Sequence, residues 1–214
     1  MYQLAIIGAG IHGSFLAANS VRHGIFGASE LALIDPWPHP LQLWYRNTRN
    51  CGMQYLRSTS SHNMMDDFHA LRTFARAARE PASQFLQPYS RPNLDLFNRH
   101  ASLILERTRV QRRLYRGRVY TVERIPAGWR LRIRGVRTGF DGAVPNDTPT
   151  GENADENSGR APEADYSIDA RRVVLAVGRS EQLRSPEWAW EWWATAPTTE
   201  LDRVRHVFST DAIA

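Results

Sequence analysis

The first fourteen residues constrain the fold of this chain more than any other stretch. They begin with a mostly apolar run, Tyr2-Gln3-Leu4-Ala5-Ile6-Ile7, which is typical of a buried parallel strand. This run leads directly into Gly8-Ala9-Gly10-Ile11-His12-Gly13, a G-x-G-x-x-G pattern. In such a turn the first glycine permits the tight bend, the second admits a pyrophosphate, and the third lets the next helix pack on the sheet. That helix, predicted from about Ile11 to His23, would point its free N–H groups at the phosphates.

A second strand and the acid that ends it support a dinucleotide site. Leu31-Ala32-Leu33-Ile34 is apolar and is followed by Asp35, which lies 22 positions after Gly13. An acid about 20 residues beyond the glycines is the group that hydrogen-bonds an adenosine ribose. The same charge would repel a 2′-phosphate, so we expect NAD or FAD here rather than NADP. A glycine-rich turn that binds nothing is the alternative, which the agreement of strand, helix and acid disfavours.

Composition narrows the class of protein. The chain has 214 residues, of which 42% are hydrophobic, enough for one good-sized domain. No apolar run approaches the ~20 residues of a membrane span, and no basic segment precedes the first apolar stretch as in a signal peptide. The single cysteine, Cys51, fits a reducing compartment, so we expect a cytoplasmic protein.

The positive charge does not indicate a nucleic-acid partner. The net charge is +5, and all 27 basic residues are arginine. Six of them fall between Arg107 and Arg118, but no aromatic stacking pattern accompanies them. We therefore predict a solvated surface there, with no nucleic acid or membrane as partner. Because lysine is absent, no Schiff-base chemistry is available.

The middle of the chain has the patterns of loops, helices and strands. Prolines after Asp35 predict a long loop to about Met65, with only brief helical turns. Periodic apolar residues predict two helices, over Asp66 to Arg79 and about Asn93 to Arg107. Period-two alternation predicts antiparallel strands, and a later apolar run predicts a buried strand ending in glycine: Arg118–Val122, Trp129–Arg134 and Arg172–Gly178.

Two further segments stand apart. Residues 138–165 contain almost no large apolar side chains, so we predict a disordered insert there. Four tryptophans then fall within six positions, at Trp188, Trp190, Trp192 and Trp193. They either pack a C-terminal helix locally or form a face that meets a partner chain or a missing domain. The sequence favours neither interpretation.

Taken together, the glycine turn, the acid and a late Leu175-Ala176-Val177-Gly178 resemble the FAD-binding half of two-dinucleotide-domain flavoproteins, whose A-T-G-like signature the last segment matches. Trp44-Tyr45, followed by Met53-Gln54 and Leu56, is similar to the W-H…M-Q…F-L segment of the siderophore-type N-hydroxylating monooxygenases. The segment from Arg91 to His100 is similar to one in related FAD/NAD(P)-binding proteins.

The resemblance implies an α/β fold: a Rossmann-like parallel sheet in a three-layer arrangement, with a small antiparallel β excursion, as a single FAD/NAD(P)-binding domain over residues 1–214. It implies cofactor contacts from the glycine motif, the acid and four positions further along: Gly8, Gly10, His12, Gly13, Asp35, Trp44, Gln54, Val119 and Gly178. The glycines and the acid would hold the ADP moiety, and the tryptophan and glutamine would lie beside the isoalloxazine or ribityl chain. Val119 would contact adenine through its backbone, and Gly178 would permit a close backbone approach. Ordinary loop or core packing is the alternative for Trp44, Gln54 and Val119.

The implied function is the FAD-binding portion of a flavin-dependent oxidoreductase, an NAD(P)H-dependent monooxygenase acting on a small molecule. Thr59 stands where the hydroxylases carry a substrate-binding lysine, so an ornithine or lysine substrate does not follow. A second glycine-rich unit for the reductant is not visible. A non-catalytic or truncated dinucleotide-binding module that needs a partner is therefore the alternative. A one-domain NAD dehydrogenase is a third interpretation, which lacks a histidine with a partner at diagnostic spacing. No residue is assigned to catalysis or to a metal.

Overall fold

The computed structural model describes residues 1–136, 164–178 and 186–203. The chain divides into two compact units, one formed by Met1–Pro40 with Leu105–Ala176 and the other by Leu41–Ile104 with Val177–Ala214. The predicted disordered insert, 138–165, lies outside the described residues as far as residue 163. Its last two residues, Ala164 and Asp165, belong to a strand instead.

The elements follow in chain order. They are β1 (Tyr2–Ile7), α1 (Ile11–Arg22), β2 (Leu31–Asp35), α2 (Gln42–Asn50), α3 (Ala70–Ala77), β3 (Phe85–Leu86), β4 (Arg91–Pro92), α4 (Leu94–Thr108), β5 (Leu114–Ile125), β6 (Gly128–Val136), β7 (Ala164–Leu175) and α5 (Glu187–Thr195). The first unit contains β1, α1, β2 and the three long strands β5 to β7. The α/β class, the strand before the glycine motif, the helix after it and the second strand are confirmed.

The main sheet closes on itself. Strand β1 lies between β2 and β7 and is parallel to both, and β2 is also parallel to β5. Strand β6 joins β5 to β7 through antiparallel pairing on both sides, which completes the ring β1-β2-β5-β6-β7. The predicted Rossmann-like parallel sheet with a small antiparallel β excursion is thus confirmed in part: the pairing around β1 and β2 is parallel, but the sheet closes into a ring instead of staying open. Strands β5 and β7 each take part in both the parallel and the antiparallel pairing.

Two long strands make this closure possible. Strands β5 and β7 are each 12 residues long, and each pairs with a parallel neighbour at one end and with β6 at the other. Gly117 and Gly135 face each other where β5 changes partner. A Cβ on Gly135 would lie 2.3 Å from the Arg116 carbonyl oxygen and 2.4 Å from the Gly117 Cα. The glycine pair thus lets the two backbones approach closely where β5 passes from β2 to β6.

The core of the first unit combines residues from all five strands of the ring. It consists of Ala5, Ile7, Ala32, Ile34, Tyr115, Leu131, Ile133, Ile168 and Ala170. The last four residues of β1, Leu4 to Ile7, and the first four of β2, Leu31 to Ile34, are buried on both faces, as predicted for parallel strands. Helix α1 buries small side chains, Gly13, Ser14, Ala17 and Ala18 among them, which allows it to lie close to the sheet.

The second unit differs more from the sequence-based expectation. Residues predicted to form a loop contain the nine-residue helix α2, and the Thr48 hydroxyl donates to the Trp44 carbonyl oxygen at 2.9 Å within it. Helix α3 is shorter than predicted, because Asp67 accepts a hydrogen bond from the His69 N–H at 2.8 Å and forms a turn before the helix begins. Phe68 is consequently 69% exposed rather than on the buried face. Helix α4 agrees with its prediction to within one residue at each end.

Candidate functional site

The three glycines of the turn between β1 and α1, residues 8–13, meet different requirements. Gly8 has a φ of +108°, which residues with a Cβ rarely adopt. A Cβ on Gly13 would lie 1.8 Å from the Gly8 carbonyl oxygen. Gly10, by contrast, has an ordinary φ of −70°, and a Cβ there would have no atom within 4 Å among the described residues. The fold therefore requires the first and third glycines, whereas the second faces open space.

The amino-terminal end of α1 can receive an anion. Its N-cap residue, Gly10, offers no side-chain hydrogen bond, and no acid lies in the first turn. The first N–H groups of a helix have no acceptor within the helix, so they remain available to a bound group. Ser14 supports the turn from behind, because its buried hydroxyl donates to the Ala9 carbonyl oxygen at 2.9 Å. His12 lies in this first turn and is exposed.

The Asp35 carboxylate is hydrogen-bonded to the glycine turn between β1 and α1. Its Oδ2 accepts from the Ala9 N–H at 2.6 Å, and its Oδ1 accepts from the Trp37 N–H at 3.0 Å. Beside it, the Gly8 N–H donates to the Ile34 carbonyl oxygen at 2.7 Å. A carboxylate can accept up to about four hydrogen bonds, so its role in holding the turn is compatible with contact to a sugar hydroxyl.

Positive charge lies next to this acid on the neighbouring strand. Arg116 of β5 is in register with Asp35 of β2. The pKa of His39, which still contacts solvent, is lowered by partial burial and then by the charge of Arg116. Sequence reasoning missed both Ser14 and Arg116. The serine directly follows the motif, but only the strand pairing reveals the arginine.

The end of β7 also meets the turn, although not as predicted. The Ala176 N–H donates to the Ile7 carbonyl oxygen at 2.8 Å, just before Gly8. The strand ends at Leu175 instead of continuing to Gly178, and Leu175 is 68% exposed, so its last part is not the buried strand that we expected. Gly178 has a φ of +61°, in the left-handed region that favours glycine, and among the described residues no atom lies within 4 Å of a Cβ placed there. The predicted close backbone approach at Gly178 stays a prediction.

The remaining predicted contacts have structural roles of their own. Val119 packs against the core beside a β-bulge in β5. The Trp44 indole N–H donates to Asn98 Oδ1 at 3.0 Å, and its ring packs on Phe97 of α4. The Gln54 side chain is exposed, while its carbonyl oxygen accepts from the Leu94 N–H at 2.8 Å. Cofactor contacts by Val119, Trp44 and Gln54 stay predictions.

Metal sites and membrane-spanning helices are both absent from the described residues. No group of three or more His, Cys, Asp or Glu side chains is arranged to hold a metal ion in the part of the chain that the structure describes. Within the same residues, no helix is both long enough and apolar enough to cross a membrane.

Comparisons with known proteins give structural neighbours only. No family model matches the chain, and no curated protein matches it either. One similar solved structure is a polycyclic ketone monooxygenase from the thermophilic fungus Thermothelomyces thermophila, with 16% identity over 82% of this chain and 23% of that one, and a TM-score of 0.49. Another is OTEMO in complex with FAD and NADP, with 12% identity over 87% of this chain and 27% of that one, and a TM-score of 0.47. The chain thus spans about a quarter of the length of these two proteins.

Proposed function

We propose that the turn between β1 and α1 binds the diphosphate of a dinucleotide. The observation that carries this proposal is the contrast among the three glycines of the turn. Gly8 and Gly13 are needed for the backbone to adopt its conformation, whereas a side chain at Gly10 would meet no described atom of the protein. Its place at the uncapped start of α1 leaves room for a group that needs hydrogen bonds from backbone N–H donors. Asp35, tied to the same turn through the Ala9 N–H, would bind the adjacent ribose.

FAD is the dinucleotide that we propose. The carboxylate at the ribose position disfavours a 2′-phosphate, and the resemblance of two segments, Trp44 to Leu56 and Leu175 to Gly178, to those of flavoproteins favours a flavin over NAD. When bound, the flavin would supply the redox chemistry. The residues of this chain would hold the ADP end, with Trp44 and Gln54 as candidates for contact with the flavin end.

The chain would then be the FAD-binding portion of a flavin-dependent oxidoreductase, specifically of an NAD(P)H-dependent monooxygenase. The N-hydroxylating subtype is the finer version of this proposal, supported only by the similarity around Trp44 and Gln54. Helix α5 exposes Trp188 and Trp190, each at 59%, which fits a partner chain or further domain at this surface that would bring the reductant.

A single substitution tests the dinucleotide site without disturbing the fold. Gly10→Ala introduces a methyl group into open space at an ordinary φ, so we expect its free energy of unfolding to stay within about 1 kcal/mol of wild type. The methyl group would nevertheless occupy the place of the phosphate, so FAD affinity measured by calorimetry should fall by about tenfold or more. Gly27→Ala, away from the turn, serves as the control. Unchanged FAD binding by Gly10→Ala would show that the turn does not hold the diphosphate.

A second experiment separates the enzyme from a binding module. We expect the purified chain with FAD to show a flavin absorption spectrum, and NAD(P)H oxidation to require a longer chain or an added partner. If FAD binds and no addition of protein restores NAD(P)H oxidation, the chain is a non-catalytic dinucleotide-binding module. If NAD binds and FAD does not, the flavin assignment is wrong, but the proposal of a dinucleotide site at this turn is supported.

A further inference from the structure

A half-buried arginine lies next to the proposed ribose position. Arg116 of β5 is in register with Asp35 at the end of β2. Among the described residues, no ion pair joins Arg116 to Asp35 or to any other carboxylate. A charge that is partly removed from water is costly unless another group compensates it. The Arg116 side chain is therefore a candidate for contact with a bound molecule.

Arg116 faces the same side of the sheet as Asp35. Ile34 and Tyr115, the residues that precede them, both belong to the core of the first unit. Since successive side chains of a strand point to opposite faces, Asp35 and Arg116 both point away from that core. Burial and then the charge of Arg116 lower the pKa of His39, which lies in the loop after β2. The guanidinium therefore lies near the end of β2, where the ribose would bind.

The order of the strands indicates which part of the dinucleotide Arg116 would meet. Strand β2 lies between β1 and β5, just as the ribose of a dinucleotide lies between the diphosphate and the base. With the diphosphate at the end of β1 and the ribose at Asp35, the base would reach the next strand, ~4.8 Å further across the sheet. Strand β5 continues from Arg116 to Ile125, beyond the end of β2. It therefore offers a surface beside the base.

A guanidinium suits the face of a purine ring. It is planar and more weakly hydrated than an ammonium group, so it stacks on aromatic faces. Nucleic-acid bases are bound in this way by arginine side chains, with cation–π attraction adding to the stacking. Contact with the diphosphate is the alternative for a positive charge. That alternative is disfavoured because β2, with Asp35 at its end, separates Arg116 from the glycine turn.

From this arrangement we infer that Arg116 binds the adenine of the dinucleotide, with its guanidinium stacked on the purine ring. The inference rests on the dinucleotide site proposed above. It adds a residue for the base, which neither the glycine turn nor Asp35 would contact. Stacking leaves the edge of the ring to other groups, among them the backbone at Val119 on the same strand.

Calorimetry with ADP tests this inference in the absence of the flavin. We expect Arg116→Met to weaken ADP binding about fivefold or more, because the stacked cation is lost. Arg116→Lys keeps the charge but not the planar group, so it should recover only part of the loss. Arg112→Met is the matched control: it removes the same charge at an exposed position before β5 begins, and it should bind ADP like wild type.

A second substitution covers a loss of folding. If Arg116→Met does not fold, as judged by circular dichroism, Arg116→Thr takes its place, since threonine is favoured in strands. It should weaken ADP binding by a similar factor.

Gly10→Ala separates a failure of this inference from a failure of the dinucleotide site. If wild type does not bind ADP, or if Gly10→Ala binds it like wild type, both proposals are wrong. If Gly10→Ala weakens ADP binding and the folded Arg116 variants do not, the dinucleotide site is supported and this inference alone is overturned. Complete recovery by Arg116→Lys, or an equal loss in Arg112→Met, would also overturn it, because positive charge alone would then account for the effect.

Discussion

At the scale of single residues, the glycine turn separates positions that the fold needs from a position that it does not. Gly8 and Gly13 are required by a positive φ and by a backbone contact, respectively, within the protein. Gly10 has neither requirement. The G-x-G-x-x-G pattern predicts this division of tasks, and the geometry shows a requirement within the protein at Gly8 and Gly13 and none at Gly10.

Gly13→Ala should destabilise the protein even without a cofactor. The new methyl group would meet the Gly8 carbonyl oxygen at 1.8 Å, and neither backbone segment can move aside without disturbing the strand or the helix. We expect the free energy of unfolding to fall by at least about 2 kcal/mol in urea titrations. Gly27→Ala, whose nearest atom would be a Glu30 side-chain oxygen at 3.4 Å, should change it by less than about 0.5 kcal/mol. Equal stability of the two variants would contradict the geometry of the turn.

Asp35→Asn tests whether the acid holds the turn as well as a sugar. Both carboxylate oxygens accept backbone N–H groups, from Ala9 and Trp37, and an amide offers only one acceptor. We expect a loss of about 1.5–3 kcal/mol in the unfolding free energy without ligand. Asp67→Asn is the control, because Asp67 uses one oxygen to accept from the His69 N–H, and asparagine can do the same. A similar effect of both substitutions would mean that the second bond to Asp35 contributes nothing.

At the scale of elements, the sequence predicts the helices and strands that depend on local patterns. It misses the features that depend on contacts between distant segments of the chain. The β1–α1–β2 segment and helix α4 follow their predictions because apolar periodicity and glycine spacing are local signals. The helix at Gln42–Asn50 was missed because its composition is polar and its support comes from α4, through Trp44. Ring closure was missed for the same reason, since it pairs Tyr2 of β1 with Ala170 of β7, 168 positions further along the chain.

Gly135→Ala should disturb the pairing of β5 with β6 at the point where the sheet closes. The added methyl group would meet backbone atoms of Arg116 and Gly117 at 2.3 and 2.4 Å. Because β5 and β6 are paired on both sides of this point, relief of the clash would cost neighbouring ladder hydrogen bonds. We expect a loss of about 2–3 kcal/mol or failure to fold, measured by circular dichroism and urea unfolding. A variant within about 1 kcal/mol of wild type would show that the pairing of β5 with β6 does not need this glycine.

At the scale of the whole molecule, a buried histidine should make stability depend on pH. His100 is 2% exposed, lies against Phe74 and has no hydrogen-bond partner for its Nδ1 among the described residues. Burial lowers its pKa from 6.5 to about 4. Between pH 6.5 and about pH 4, His100 is protonated in the unfolded chain but stays neutral in the folded chain. The stability that depends on its neutral form is therefore complete above pH 6.5 and is lost as the pH falls toward 4.

The expected size of this effect is about 2 kcal/mol between pH 7 and pH 4.5, from ~1.4 kcal/mol for each unit of pKa difference. Urea unfolding of wild type and of His100→Leu at several pH values gives the free energy of unfolding as a function of pH. The contribution of His100 is the difference between the slopes of these two curves. The slope of the leucine variant should be smaller. Parallel slopes for wild type and His100→Leu would mean that the imidazole becomes protonated in the folded protein.

The position of β1 between β2 and β7 also affects how the protein can fold during its synthesis. The first strand pairs with one neighbour near residue 31 and with the other only from Ala170 to Leu175. At about 5–20 residues per second, a ribosome needs roughly 10–30 s to reach that second neighbour. During this interval one edge of an apolar strand lacks its partner, and chaperones are the proteins that shield such edges. The turn at residues 8–13 is thus made long before the strand that completes its surroundings.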